Sequence, residues 1–277
     1  MPIPVADSDA TFKAFPHLNK MPVEFISRSR VLLGDIASVH FDADTFVHKL
    51  VRALGETRVI GLKEVLESFE FYARVRRRIR TEHVADLCCG HGLVGLLFAI
   101  LQREVETVTL MDSRRPKNAS IVLDSLISVA PWIEEKVTFV ECEVDEVVGY
   151  LSPGTSVMGV HACGKLTDQC LDIATELNSR VAVMPCCYGT HHMRGPEVLE
   201  RMLGGHLAVD VDRTYRMEAR GYRVDWQCIP EAITPMNRIL VAVPITRRAK
   251  EKPLRTKTRR RAKPKSATVS GDSEAPQ

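Results

Sequence analysis

The sequence predicts an α/β domain in which a mostly parallel β-sheet is covered by helices on both faces. Short β-branched runs alternate with helical segments through the middle of the chain. This order is typical of parallel strands joined by helical crossovers. Two further strand-like runs near the end of the chain follow each other without a helix between them. We expect these two strands to pair antiparallel and to close one edge of the sheet.

Hydrophobic spacing gives approximate bounds for the elements. Helical spacing is first clear from about Asp44, and Gly55 is predicted to end that helix. A second helix is predicted over residues 62–80. Strands are then predicted at residues 84–88, 108–111, 137–140, 157–160 and 181–184, helices at 94–103, 118–129 and 166–177, and the terminal strands at 222–226 and 238–243.

Charge separates the end of the chain from the rest. Residues 247–277 hold 11 basic and three acidic side chains, whereas residues 1–246 hold 27 basic and 32 acidic ones. The last segment is also poor in aliphatic residues, so it cannot bury enough surface to fold alone. We therefore predict an N-terminal helical extension at 1–60, the α/β domain at 61–245 and a disordered basic tail at 246–277.

The sequence also gives an expectation for the cellular compartment of the protein. No apolar run approaches the roughly 18 residues of a membrane-spanning helix, and the first residues lack the features of a secretory signal. The eight cysteines include no CxxC spacing, and we expect them to be reduced thiols. The expectation is a cytoplasmic protein without membrane contact, or a nuclear one in a eukaryotic cell because of the basic tail. The sequence does not determine the oligomeric state.

A glycine-rich turn lies between the first predicted strand and the helix that follows it, where residues 86–95 read DLCCGHGLVG. Gly90 and Gly92 permit a sharp turn and a close approach of the backbone to a ligand. Free N–H groups at the start of the next helix can donate to that ligand. With Gly95 they also satisfy the GxGxxG spacing of dinucleotide-binding turns. The turn, including Cys88, therefore predicts a nucleoside-containing cofactor.

Asp86 favours S-adenosylmethionine as that cofactor. Its carboxylate lies at the strand end, where it can pair with the ammonium group of a methionine moiety but would repel a pyrophosphate. Asp112, about 20 residues beyond the turn, is placed to accept hydrogen bonds from ribose hydroxyls. Glu143, in the loop after the third strand, is the candidate acceptor for the adenine amine. Arginines at 114 and 115 leave the 2′-phosphate of NADP open as an alternative ligand.

Reactive side chains follow the fourth and fifth predicted strands, at the edge where ligands of open α/β sheets bind. His161 and Cys163 follow the fourth strand, and Cys186 follows the fifth. His161 is the candidate general base, or alternatively a residue that only orients its loop. Cys186 has the chemistry of a nucleophile that adds to a pyrimidine ring. A metal held by His161, Cys163, Cys186 and His191 has admissible ligand types but no diagnostic spacing, and we predict no resident metal.

These motifs together resemble a known family. The segments HACGKLTD at 161–168 and PCCY at 185–188, downstream of the DLCCGHG turn, look like the methyltransferase-domain family that includes methyltransferase-like 25 type proteins. They are also distantly similar to a tRNA ribose 2′-O-methyltransferase family with an HxCG…CCHH pattern. The resemblance implies a Rossmann-like class I methyltransferase sheet and S-adenosylmethionine as cofactor. It leaves the methyl acceptor open.

The leading hypothesis is an S-adenosylmethionine-dependent methyltransferase that acts on RNA (tRNA or rRNA). The basic tail supports RNA as partner, because clustered lysine and arginine side chains give sequence-independent affinity for phosphates. The alternatives are a methyltransferase of proteins or small molecules, an NADP-dependent oxidoreductase, and a binding module that has kept the fold without catalysis.

Overall fold

The computed structural model describes residues 11–21, 31–188 and 195–245. Its centre is a seven-stranded sheet with the order β3-β2-β1-β4-β5-β7-β6. The strands are β1 His83–Leu87, β2 Thr107–Asp112, β3 Val137–Glu141, β4 Ser156–Val160, β5 Val181–Met184, β6 Tyr222–Cys228 and β7 Arg238–Pro244. The first five are parallel, and β7 runs antiparallel to both of its neighbours. The predicted α/β fold with an antiparallel terminal pair is confirmed.

Helices cover both faces of this sheet. The α-helices are α1 Ile36–His40, α2 Phe46–Thr57, α3 Leu62–Ile79, α4 Leu93–Leu101, α5 Lys117–Val129, α6 Lys165–Glu176, α7 Glu197–Leu203 and α8 Gly205–Ala219. Short 3₁₀ helices span Pro16–Lys20, Pro131–Ile133 and Val144–Tyr150.

The two faces have separate hydrophobic cores. Helices α2 to α5 build one core, whose buried side chains include Phe69 and Phe98, and helices α6 and α8 contribute Leu171 and Met217 to the other. Burial of apolar area in these two layers supplies the main drive to fold. The N-terminal segment belongs to the first core, because Phe15 is fully buried there. The described residues 11–21 and 31–60 therefore pack within the same compact unit as the sheet.

Strand register brings the site residues to one edge. Asp86 pairs in register with Leu110 on β2 and with Met158 on β4, so the segments that follow these strands begin side by side. Val160 at the end of β4 pairs with Met184 at the end of β5. Parallel strands end at the same edge of a sheet, and the turns after β1, β2, β4 and β5 therefore meet there.

Gly55 does not end its helix, contrary to the prediction. It lies inside α2, which continues to Thr57 and ends at Arg58 in the left-handed conformation. A Cβ at residue 55 would lie 2.5 Å from the Cβ of Ala37 and 2.8 Å from the carbonyl oxygen of Gly34. Glycine is needed here because α1 packs directly against the backbone of α2.

Two helices, α7 and α8, were not predicted. Helix α8 lacks a clean apolar stripe, because the buried positions Asp210 and Arg213 interrupt the run from Ala208 to Met217. These two side chains form an ion pair inside the protein, with 3.2 Å between Arg213 Nη1 and Asp210 Oδ1. Hydrophobic spacing cannot detect a helix whose inward face is partly charged.

No helix in the described ranges is long and apolar enough to cross a membrane. The predicted basic tail at 246–277 lies outside the described residues, and so does His191.

Candidate functional site

The glycine turn has the backbone geometry that its sequence predicts. Gly90 and Gly92 adopt positive φ angles of 56° and 77°, which side chains rarely permit. Gly95, one turn into α4, lies against β2: a Cβ there would be 2.5 Å from Leu110 Cδ2 and 3.1 Å from the Cβ of Asp86. The first two glycines allow the turn and the third allows α4 to pack closely on the sheet.

Asp86 is a buried carboxylate at the end of β1. Its side chain accepts a hydrogen bond from the backbone N–H of Gly95 at 2.8 Å and caps the start of α4. Burial is the main cause that raises the pKa of this carboxyl to about 7; the Gly95 N–H lowers this pKa, and the nearby charge of Asp112 adds to the rise. Among the described residues Asp86 has no cationic partner. A ligand ammonium group would supply that missing positive charge.

Two cavities adjoin at this edge of the sheet. The Asp86 cavity has a volume of about 190 Å³, and its lining includes Asp86, Gly90 and Glu64. The Asp112 cavity has a volume of about 360 Å³, and its lining includes Asp112 and Glu143. Cys88 and His161 line both cavities and therefore lie at their junction. A third cavity of similar size, at the opposite end of α4, has no acidic side chain in its lining (Ala99, Ile100, Gln102, Arg103, Trp132, Lys136).

The two residues at the junction have unusual backbones. Cys88 has a φ of 53° and His161 a φ of 62°, both in the left-handed region although neither is glycine. Cys88 directly follows β1 and His161 directly follows β4, and these strands are neighbours. Strained backbones of this kind concentrate at functional sites, where the surrounding structure holds them in place. Here they turn the two chain segments at the point where the cavities meet.

His161 is paired with a buried carboxylate. Its Nε2 lies 2.9 Å from Glu67 Oε2, and the Glu67 side chain is only 2% exposed. Lys63 Nζ lies 3.4 Å from the other oxygen of Glu67, so a lysine also pairs with this carboxyl group. A carboxylate only accepts hydrogen bonds, so Nε2 of His161 is the donor to it; in the neutral ring of that tautomer, Nδ1 carries the lone pair. The imidazole is 38% exposed and can therefore reach a molecule arriving from solvent.

A second histidine–glutamate pair lies in the Asp86 cavity. His91 Nε2 is 3.5 Å from Glu64 Oε1, and this interaction is the main cause that lowers the pKa of Glu64. Glu64 also accepts from the N–H of Gly61, at the start of α3. His91 Nδ1 is buried without a hydrogen-bond partner in the described part of the chain. It offers a further polar contact to a ligand in the cavity.

Sequence reasoning missed Glu64 and Glu67. Both lie on α3, near the carboxyl ends of the parallel strands. Their partners, His91 and His161, come much later in the sequence. One signal was available in the sequence: Glu67 follows Leu66 directly in a segment with the pattern of an amphipathic helix. In the structure Leu66, Glu67 and Ser68 are all buried. A glutamate at such a position needs a polar partner, and that requirement marks it as a candidate.

Asp112 and Glu143 line one cavity, as their assignment to a single nucleoside predicts. Asp112 Oδ2 accepts from the N–H of Gly90 at 2.8 Å, so the carboxylate is fixed against the glycine turn. Glu143 is exposed and precedes the 3₁₀ helix Val144–Tyr150, where its own N–H donates to Glu146 at 3.2 Å. Asp145 lies inside that helix and accepts a hydrogen bond from Gln169. Both predicted ligand contacts remain predictions.

The structure brings Cys163 and Cys186 together, with 2.7 Å between their Sγ atoms, and Cys187 Sγ is 3.6 Å from Cys186. Burial raises the pKa of the Cys163 and Cys186 thiols. Neither thiol is part of the lining of the two cavities, whereas His161 belongs to both linings. A thiol with a raised pKa is a poor nucleophile at neutral pH. His161 is therefore the better candidate to act on an acceptor at this site.

The arginines considered for an NADP phosphate lie elsewhere. The guanidinium of Arg115 lies over the ring of Phe139, 5.2 Å from its centroid, and the backbone N–H of Arg115 donates to the Glu141 side chain at the end of β3. Arg115 is exposed and is not part of either cavity's lining. The geometry thus gives no support to the dinucleotide alternative.

A known family model matches part of the chain. Residues 61–194 match the family model described as a methyltransferase domain. The match begins at the helix that carries Glu64 and Glu67 and extends past the cysteines that follow β5.

Two relatives illustrate the similarity to known proteins. A glutathione S-transferase C-terminal domain-containing protein homolog of Drosophila pseudoobscura pseudoobscura is 27% identical over 200 residues, covering 58% of this chain and 33% of the relative. The human glutathione S-transferase C-terminal domain-containing protein is 24% identical over 203 residues, covering 59% of this chain and 30% of the relative. The chain thus spans about a third of the length of the curated relatives it matches.

Solved methyltransferase structures also align with the model. A SAM-dependent methyltransferase from Aquifex aeolicus aligns with a TM-score of 0.42 and 13% identity, over 64% of this chain and 90% of that one. The B. subtilis M1A22 tRNA methyltransferase TrmK aligns with a TM-score of 0.39 and 12% identity, over 63% and 65%.

Proposed function

Because residues 61–194 match a family model described as a methyltransferase domain, we propose that this chain transfers the methyl group of S-adenosylmethionine to RNA. The observation that carries the proposal is the pair of adjoining cavities, one with a buried unpaired carboxylate and one with two acidic side chains, joined at a histidine. Each part of this arrangement has a counterpart in the chemistry of the cofactor and of methyl transfer.

The residues present fit the cofactor by charge and position. Asp86 would hold the ammonium group of the methionine moiety, because its buried charge lacks a cation among the described residues. Asp112 would hold the ribose hydroxyls and Glu143 the adenine amine, since both line the larger cavity. Buried His91 Nδ1 offers one more polar contact on the methionine side.

The proton of the acceptor group would pass to His161. When bound, S-adenosylmethionine would supply a methyl group on a positively charged sulfur, whose thioether would be the leaving group of the transfer. His161 Nδ1 takes the proton that a hydroxyl or a protonated nitrogen loses as it is methylated. Glu67 orients the ring through Nε2 and stabilises the imidazolium that results. The remainder of the acceleration comes from holding the acceptor in line with the sulfur.

The basic tail supports RNA as the acceptor. Eleven lysines and arginines within residues 247–277 give this segment the charge needed to bind phosphates without regard to sequence, whereas the body of the chain is slightly acidic. Arg259, Arg260 and Arg261 form its densest run. Replacing all three by glutamine should make log K against log salt less steep by about 2 for single-stranded RNA. An unchanged slope would remove the tail from the interface.

The direct test follows a labelled methyl group. The full chain is incubated with tritium-labelled S-adenosylmethionine and a lysate, which is then separated into RNA, protein and small-molecule fractions. We expect ribonuclease-sensitive label in the RNA fraction, and none with Asp86→Asn. Label confined to protein or small molecules would refute RNA as acceptor, and cofactor binding without any transfer would favour a non-catalytic module.

A further inference from the structure

Three thiols converge beside the candidate active site. Cys163 follows β4, and Cys186 and Cys187 follow β5. The three Sγ atoms all lie within 4.8 Å of one another. Cys163 comes from a segment more than twenty positions earlier in the chain than the other two, so only the parallel pairing of β4 with β5 brings them together.

The loops that carry these thiols are fixed by specific contacts. The N–H of Gly164 donates to the carbonyl oxygen of Cys187 at 3.2 Å, which ties the two loops next to the sulfur atoms. Gly164 itself has a φ of 60°, so the backbone turns here in a way that favours glycine. Arg213, only 1% exposed, lies 3.5 Å from the Gly164 carbonyl oxygen and pairs with Asp168 at 2.9 Å. These contacts hold the backbones of the two loops together beside the thiols.

Three sulfur ligands at this spacing suit a zinc ion. Zinc binds thiolate sulfur at about 2.3 Å in tetrahedral geometry, which puts neighbouring sulfur atoms about 3.8 Å apart. The two shorter separations, 2.7 Å and 3.6 Å, are below this value, and all three sulfur atoms lie within 4.8 Å of one another, so the cluster is compact enough for one ion to contact all three. Small side-chain rotations would equalise them around one ion. A dication would also offset the repulsion among three closely placed thiolates.

We propose that Cys163, Cys186 and Cys187 bind one zinc ion as thiolates. The ion would clamp the loops after β4 and β5 and leave one tetrahedral position for a further ligand. This set differs from the ligands considered from the sequence: Cys187 is added, and His161 is engaged with Glu67. The proposal does not rest on the methyltransferase function, since none of the three thiols is part of the lining of the two cavities.

Metal content and variants test this site. The full chain, purified under reducing conditions without added chelator, is analysed for zinc by mass spectrometry of the metals. We expect about one zinc per chain in the wild type. Cys163→Ser, Cys186→Ser and Cys187→Ser should each lose most of it. Cys228→Ser, on strand β6 and outside the three-thiol cluster, is the matched control and should retain it.

A second measurement uses the unaltered protein, in case a variant does not fold. Metal-free reduced wild type is titrated with cobalt(II), whose thiolate charge-transfer absorption reports sulfur ligands, and the cobalt is then displaced by zinc(II). Saturation at about one equivalent supports the site. Absence of the band would overturn the proposal. So would a 2 Da loss in mass that maps to a Cys163–Cys186 disulfide in the freshly purified, zinc-free chain.

Discussion

Replacing Asp86 by asparagine should stabilise the protein and weaken cofactor binding. The carboxylate is buried with its pKa raised to about 7, which means that the folded state opposes its ionisation. Asparagine has nearly the same shape, and its side-chain oxygen can still accept the hydrogen bond from the Gly95 N–H. The substitution therefore removes the charge while it keeps the cap of α4.

The size of the effect follows from proton linkage. A rise in pKa from 3.8 to about 7 makes ionised Asp86 unfavourable to folding by about 4 kcal/mol, at 1.36 kcal/mol per unit. Because the folded pKa is raised, this penalty is absent below pH 3.8, grows as the pH rises, and is complete above about pH 7. The advantage of Asp86→Asn over the wild type should thus grow by about 3 kcal/mol between pH 5 and pH 8.

Urea unfolding at pH 5, 6, 7 and 8 measures this difference. The two proteins should be closest in free energy of unfolding at pH 5 and furthest apart at pH 8. Equal pH dependence in the two proteins would show that Asp86 is already ionised at low pH in the folded state, and the reasoning from burial would be wrong. The charge on Asp86 should also govern the affinity for the cofactor. S-adenosylmethionine should therefore bind the wild type about tenfold more weakly at pH 6 than at pH 8.

Two further predictions concern the glycine turn and the histidine. Gly95→Ala should lower the free energy of unfolding by about 1–3 kcal/mol, because the added Cβ overlaps Leu110. Gly149→Ala is the control, since a Cβ there meets no atom within 4 Å. Equal losses of stability in the two variants, measured by thermal unfolding, would contradict the prediction for Gly95. His161→Ala should reduce turnover about 100-fold or more, and Glu67→Gln should reduce it by about tenfold. The cofactor Kd should be unchanged in both variants. Full turnover in His161→Ala would exclude His161 as the base.

The regular part of the fold was predictable because its signals are local. Strands from β1 to β5 are short apolar runs, and each crossover helix among them has an apolar face, so sequence spacing alone located them. The glycine turn was equally predictable, since its φ angles of 56° and 77° favour glycine at residues 90 and 92. Helix α8 escaped prediction because Asp210 and Arg213 occupy its buried face and neutralise each other only in the folded state.

Individual residues of the site were predictable from the sequence, but the contacts between them were not. His161 could be named because it follows a strand at the binding edge, yet its partner Glu67 is 94 residues earlier in the chain. No periodicity reports such a pairing; only the packing of α3 over the end of the sheet creates it. The same holds for the thiols, where the sequence offered Cys163 and Cys186 as reactive groups and the fold joined them to Cys187.

Calorimetry with two ligands that differ only in the amino acid moiety tests the central claim most directly. S-adenosylhomocysteine carries the ammonium and carboxylate of methionine, whereas methylthioadenosine has the same nucleoside without them. If Asp86 meets the ammonium group, the wild type should bind S-adenosylhomocysteine at least about tenfold more tightly, and Asp86→Asn should lose this preference. Equal affinity for both ligands in the wild type, or tighter binding of NADPH than of either, would contradict the account.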